Sequence, residues 1–242
     1  MNQSARLPAG ITWCGYLAIA LLVILPLSVL TVRSGAWQQG LMLYALACLG
    51  SITLLIVFVA CLMLPRMAPW RAAIRNRALL TLPGTLALLT LTLGGDYPRI
   101  HDITTDRQDP PEFVAAPEVR GDSANPLTLT TEEITLQEAA YPELAPLRTS
   151  LSIDEAYSRA LEVAAGLGWE IYHQDRAAGL IEAVDTTSLM KFKDDVAIRV
   201  RGNAAGAYLD LRSVSRVGEG DLGANAKRIR RFMEAFRATD EA

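Results

Sequence analysis

The sequence predicts a membrane-embedded helical anchor of three transmembrane helices followed by an α+β two-layer domain. Three observations carry this prediction. No Asp or Glu occurs before residue 96, and all 26 acidic residues follow. Three uncharged apolar runs fall inside that acid-free stretch. Beyond residue 150 a helical spacing of apolar residues gives way to four strand-like runs and then returns. The first 95 residues carry six arginines and a net charge of +6, whereas the rest sets 17 Lys or Arg against 26 Asp or Glu and nets −9. The predicted boundaries are 1–95 for the anchor, 96–150 for an irregular segment and 151–242 for the α+β domain.

In the anchor, residues 11–32 form an uncharged run, long enough as a helix to cross a bilayer core, with Pro26 as an expected kink. Residues 41–64 form a second such run. The third, 78–93, is shorter and carries Pro83 and Gly84. Its length also fits a buried or interfacial segment, but it reads as a span because the loop before it holds Arg66, Arg71, Arg75 and Arg77, against Arg33 alone in the preceding loop. The positive-inside rule makes the arginine-rich loop cytoplasmic. Three spans then place the N-terminus in the cytoplasm and residues 96–242 on the extracytoplasmic side of the inner membrane, which in a Gram-negative cell would be the periplasm. The first run is too long, and too closely followed by another, for a cleaved signal peptide. The spans contain no ionisable acid or base, which argues against an ion pathway. Cys14, Cys48 and Cys61 all lie in the anchor, so the soluble part has no disulfide.

Residues 96–150 are punctuated by Pro110, Pro111, Pro117, Pro126, Pro142 and Pro146, too densely for long elements. A short helix is expected near 132–140, capped by Thr130 or Thr131. Recurrent apolar residues suggest that the segment wraps over the domain that follows. Ser152 and Glu155 then form a capping box, with Ile153, Ala156, Tyr157, Ala160, Leu161 and Ala164 at helical spacing. Gly166 and Gly168 end that helix. Strands are expected at 169–173, 180–184, 196–201 and 208–214. Their separators, including a turn at 202–207, are too short for crossover helices, so the strands pair antiparallel. Pairing Val200 with Leu209 and Ile198 with Leu211 puts four apolar side chains on one face and sets Arg199 opposite Asp210 on the other. A last helix, 224–237, aims Leu222, Ile229, Phe232, Met233 and Phe236 one way and Lys227, Arg228, Arg230 and Arg231 the other. The predicted order is helix, four-stranded antiparallel sheet, helix.

Several stretches carry a resemblance: YPRIHDITTD at 97–106 with PPEF at 110–113, AYPELAP at 140–146, GWEI at 168–171, GLIEA at 179–183, KFKDDV at 191–196, DLRSVSRVG at 210–218 and GDLGAN at 220–225. Over residues 96–242 the chain resembles the uncharacterised bacterial family catalogued as domain of unknown function 1499. Its members often carry a few N-terminal transmembrane helices. The resemblance implies no reaction.

Candidate sites follow from residue chemistry. Arg199, Arg201, Arg212 and Arg216 lie on neighbouring strands and could grip a carboxylate or phosphate group bidentately; otherwise they belong to a sheet face neutralised by Asp210 and Asp195. His101, Asp102 and Asp106 could ligate a metal, or could form a polar membrane exit with turn-bonding aspartates. Asp194 and Asp195 could work as an acid–base pair. GEGDLG at 218–223 has the form of a dinucleotide fingerprint, but Glu219 and Asp221 would repel a pyrophosphate and no βαβ unit is present. Asp221 is better read as a helix cap. The basic face of the last helix suits an anionic lipid or acidic partner, or simply water. The net charge argues against nucleic acid. No catalytic residue and no cofactor is assigned. The sequence therefore favours an extracytoplasmic binding or interaction module, with membrane lipid and an envelope protein as candidate partners. An envelope hydrolase or metal-dependent enzyme built on the His101/Asp102/Asp106 segment is the alternative.

Overall fold

The computed structural model describes residues 6–93, 95, 97–203 and 206–238. The chain divides into two compact units, one of residues 1–95 with 189–191 and one of residues 96–188 with 192–242.

The first unit is helical. Helix α1 (Ala9–Arg33) runs through Pro26, and α2 (Trp37–Met63) packs along it. At ~1.5 Å per residue both exceed a bilayer core, and both are apolar enough to cross one. Their outward residues, such as Leu17, Leu46 and Ile56, are more than half exposed. After a 3₁₀ turn (Pro65–Trp70) come α3 (Arg71–Leu79) and α4 (Leu82–Thr92). The third apolar run is thus an 11-residue helix of roughly 16 Å. Two helices reach spanning length among the described residues, where the sequence suggests three. Pro83 explains the interruption, because it cannot donate the backbone hydrogen bond that would join α3 to α4. Helix α4 packs tightly on α2: a Cβ on Gly84 would stand 2.3 Å from the Ser51 hydroxyl. Small residues permit such close helix contact in membranes.

The second unit is an antiparallel sheet domain with helices. Strands β3 (Glu170–Asp175), β4 (Leu180–Thr186), β5 (Lys193–Asn203) and β6 (Gly206–Ser215) lie near the four predicted runs. The register is the predicted one, with Val200 opposite Leu209, Ile198 opposite Leu211 and Arg199 opposite Asp210. Of the predicted turn at 202–207, Ala204 and Ala205 lie outside the described residues. The sheet has six strands rather than four. Two three-residue strands, β1 (Asp102–Thr104) and β2 (Leu147–Thr149), share the outer edge of β6. Both come from the proline-rich segment, where strands so short leave no alternating pattern.

That segment also supplies α5 (Ala116–Val119) and α6 (Thr131–Ala140), the latter closed by a Thr130/Glu133 capping box. Helix α7 (Ile153–Gly166) starts at the Ser152/Glu155 box, and α8 (Ala224–Ala238) closes the fold. Helices α7 and α8 cover one sheet face. Tyr157, Ile181, Ile198, Leu209, Leu211, Phe232 and Phe236 form the buried core there, with Trp169 stacked on Phe232 at 5.5 Å. Two expectations for α8 fail. Leu222 is 62 % exposed, at φ 52°, because the tight turn before α8 swings it outward. Arg228 is buried rather than solvated, paired with Asp185 and Asp194 and bonded to Ser213 and Asn225.

Candidate functional site

The second sheet face carries the charges. Successive strand residues point to opposite faces, so Leu209, Leu211 and Ser213 meet the helices while Asp210, Arg212 and Arg216 point away from them. Residues 106–127 lie across this second face and are fastened to it by polar contacts. Arg212 grips both carboxylate oxygens of Asp102 on β1, with Nη2 at 2.6 Å from Oδ2. It also donates to the carbonyls of Pro111 and Leu127 and sits over the Phe113 ring at 5.4 Å. Arg216 makes a two-pronged pair with Asp195 at 2.9 and 2.7 Å and donates to the Val119 carbonyl. Arg120 approaches the same Asp195 carboxylate at 3.0 Å.

Glu182, fully buried on β4, accepts hydrogen bonds from the backbone N–H groups of Val114, Ala115 and Ala116 at the start of α5. Arg199 and Arg201 converge on Asp210, Asp106 and Asp109. Desolvation drives several titrations on this face. Burial pushes the Asp102 and Asp210 carboxyls up, against the pull of their arginines. Burial and then the Asp195 charge push the Tyr172 hydroxyl far up. At Asp106 burial also raises the carboxyl, but the Asp109 N–H and Arg201 outweigh it and leave the group below its ordinary range.

The other sequence candidates separate in space. His101 pairs with Glu133 at 3.3 Å, Asp102 with Arg212, and Asp106 with Arg201. Among the described residues no group of three or more His, Cys, Asp or Glu side chains is placed to hold a metal ion. Asp194 and Asp195 are neighbours on one strand and so face opposite sides, towards Arg228 and Arg216 respectively. They do not form an acid–base pair. The glycine-rich loop acts as a helix start: Asp221 accepts from the N–H groups of Gly223 and Asn225 at 2.8 and 2.7 Å. Gly223, at φ 78°, leaves no room for a side chain, since a Cβ would meet the Tyr97 ring at 2.5 Å.

Two of the cavities on the domain bear on these residues. One of about 440 Å³ lies at the β2–β6 edge, lined by Asp106, Pro146, Arg148, Thr149, Arg201 and Tyr208. Arg201 stacks over Tyr208 at 5.0 Å. Arg148, exposed on β2, has no carboxylate within ion-pair distance among the described residues. The other cavity, of about 370 Å³, is lined by Arg99, His101, Glu132, Glu133, Thr130 and Glu219. Of the four arginines singled out in the sequence, Arg201 lines the first of these cavities, while Arg199, Arg212 and Arg216 fasten the covering segment. Arg148, Tyr208 and Glu182 were missed. Arg148 gains its place only when β2 pairs with β6, which local sequence does not announce. Glu182 did leave a signal, because an acid in the middle of an apolar strand demands a buried partner.

These features define a class: an antiparallel α+β domain behind an apolar helical segment, with one sheet face sealed by helices and the other by a charge-fastened covering strap. The chain belongs to the DUF1499 family, whose model, described as a protein of unknown function, matches residues 102–236, more than half of the 242 residues. No curated protein sequence matches the chain.

Proposed function

We propose that this protein is a membrane-tethered accessory module that binds a small anionic group, such as the phosphate of a lipid headgroup, at the β2–β6 cavity. The observation that supports it is Arg148, a cation without an acidic partner among the described residues, facing the same cavity as Arg201 and Tyr208. Arg199, Arg201, Arg212 and Arg216 are all paired with carboxylates, which leaves Arg148 as the charge the cavity can offer. A planar guanidinium beside an aromatic wall suits a phosphate or carboxylate. Calorimetric titration of the full chain in detergent with glycerol phosphate tests the reading. Saturable binding that weakens at least ~10-fold in Arg148→Ala is expected, about 1.4 kcal/mol. No binding, or binding indifferent to the substitution, overturns it.

The reading places the domain outside the cytoplasm, with α4 completing a third crossing. Two features support this: the four arginines of the 65–77 loop, and the outward Leu86, Leu89 and Leu91 of α4. A hydrophobic stretch shorter than the bilayer can be accommodated by local thinning. An alkaline phosphatase fused after the last residue should be active, since that enzyme needs export. An inactive phosphatase combined with a fluorescent cytoplasmic reporter at the same site would mean two crossings and a cytoplasmic domain.

A further inference from the structure

We infer that the β4–β5 hairpin tip, residues 187–193, is a membrane foot that seats in the anionic headgroup layer of the bilayer to which the chain is tethered. The tip reads TSLMKFK and holds no acid in a part of the chain that nets −9. It contains Lys191 and Lys193, two of only three lysines in the protein. Leu189 is 54 % exposed, both lysines are exposed, and Met190 and Phe192 are half-buried beside them. An apolar point rimmed by lysines is the composition that partitions into a membrane interface, since lysine stems lie along apolar surface while the ammonium reaches phosphate.

The tip is also shaped. Thr187 N–H donates to the Phe192 carbonyl at 2.8 Å, and Phe192 N–H donates to the Thr187 hydroxyl at 2.8 Å. Lys191 at the turn sits in the left-handed region at φ 60°, a conformation a non-glycine residue holds at some cost. The acids next to the tip do not oppose an anionic surface, because Asp194 and Asp185 are both paired with Arg228.

Distance supports the same occupant. Only nine residues separate the end of α4 at Thr92 from the start of β1 at Asp102, a tether of at most roughly 33 Å. The domain is therefore held within reach of lipid wherever that tether leaves the bilayer. The inference rests on the anchor lying in a membrane, and is independent of the anion cavity and of which side the domain occupies.

The test uses the full chain in vesicles, with its three cysteines changed to Ala and a single cysteine labelled with an environment-sensitive dye. Leu189→Cys marks the tip. Ile153→Cys marks an exposed residue beside Gly202, at the other end of the eleven-residue β5 and roughly 33 Å away. Lipids carrying a shallow nitroxide quench dyes that enter the headgroup layer. In phosphatidylcholine vesicles with about a third phosphatidylglycerol, we expect quenching at 189 at least threefold that at 153. Lys191→Glu with Lys193→Glu should at least halve it. Equal quenching at the two sites overturns the inference, and so does strong quenching at 189 that ignores both the lysine changes and removal of the anionic lipid. Circular dichroism of each variant separates a lost foot from a lost fold.

Discussion

Arg212→Ala should be the most destabilising single change in the soluble domain, lowering its unfolding free energy by about 3–5 kcal/mol. The reason is asymmetry. The intact pair of Arg212 and Asp102 adds little net stability, since two ions had to leave water to form it. Removing the arginine strands Asp102, 1 % exposed, without its charge partner, and leaves the Pro111 and Leu127 carbonyls without their donor. Arg212→Ala with Asp102→Ala should therefore cost much less than the sum of the two single changes. The deficit should also depend on pH. Burial already holds the Asp102 carboxyl up in the native protein, and losing Arg212 removes the main opposing pull. A carboxyl whose folded pKa is raised makes the fold more stable at low pH, and that stability is lost as pH rises through the folded value. The penalty is thus smallest near pH ~4, where unfolded aspartate itself takes up a proton, and greatest at neutral pH. Guanidinium unfolding of the full chain in detergent measures it, with Trp13, Trp37 and Trp70 changed to Phe so that emission reports Trp169 against Phe232. A loss below 1 kcal/mol would mean that Arg212 does not hold the covering segment.

What the sequence could and could not convey follows the separation of interacting residues. The β5–β6 pairing was legible because strict alternation permits one register, and the Arg199–Asp210 pair lies within it, eleven residues apart. The capping box at Ser152 was legible because it is local. The fastening of the second sheet face was not, since Arg212 and Asp102 lie 110 residues apart and Arg216 meets the Val119 carbonyl across 97. Charge left two readings of these arginines, a ligand or neutralisation by Asp210 and Asp195. The fold pairs Arg199 and Arg201 with Asp210 and Arg216 with Asp195, and adds Asp102 for Arg212. Arg228 misled for a related reason. Its place in a run of basic residues suggested a solvated face, yet it stands three positions from Asn225 and faces inward, where Asp194 needs neutralising. In the anchor, composition marked the third apolar run, but the effect of Pro83 on its length is a property of the backbone.

Glu182 offers the second large effect, and one that reads the covering segment directly. Its carboxylate, fully buried, is the shared acceptor for three consecutive amides at Val114, Ala115 and Ala116, and no cation pairs with it among the described residues. Backbone N–H groups at a helix start can stabilise a buried carboxylate in this way, through aligned dipoles and hydrogen bonds. Glu182→Ala removes all three bonds and opens a hole that faces orphaned donors, so the segment should lift and let water in. Hydrogen exchange of the 110–120 peptide in the full chain should then quicken by about 100-fold, equivalent to about 2.7 kcal/mol of local opening. Amides of β5 and β6 should change far less, because their ladder and the core beneath α7 and α8 do not depend on Glu182. Glu182→Gln separates charge from shape: it keeps the carbonyl acceptor but presents an amide where an anion stood, and should fall between the wild type and the alanine variant. If the 110–120 amides exchange equally fast in the wild type and in Glu182→Ala, the carboxylate does not hold the strap, and its burial needs another cause.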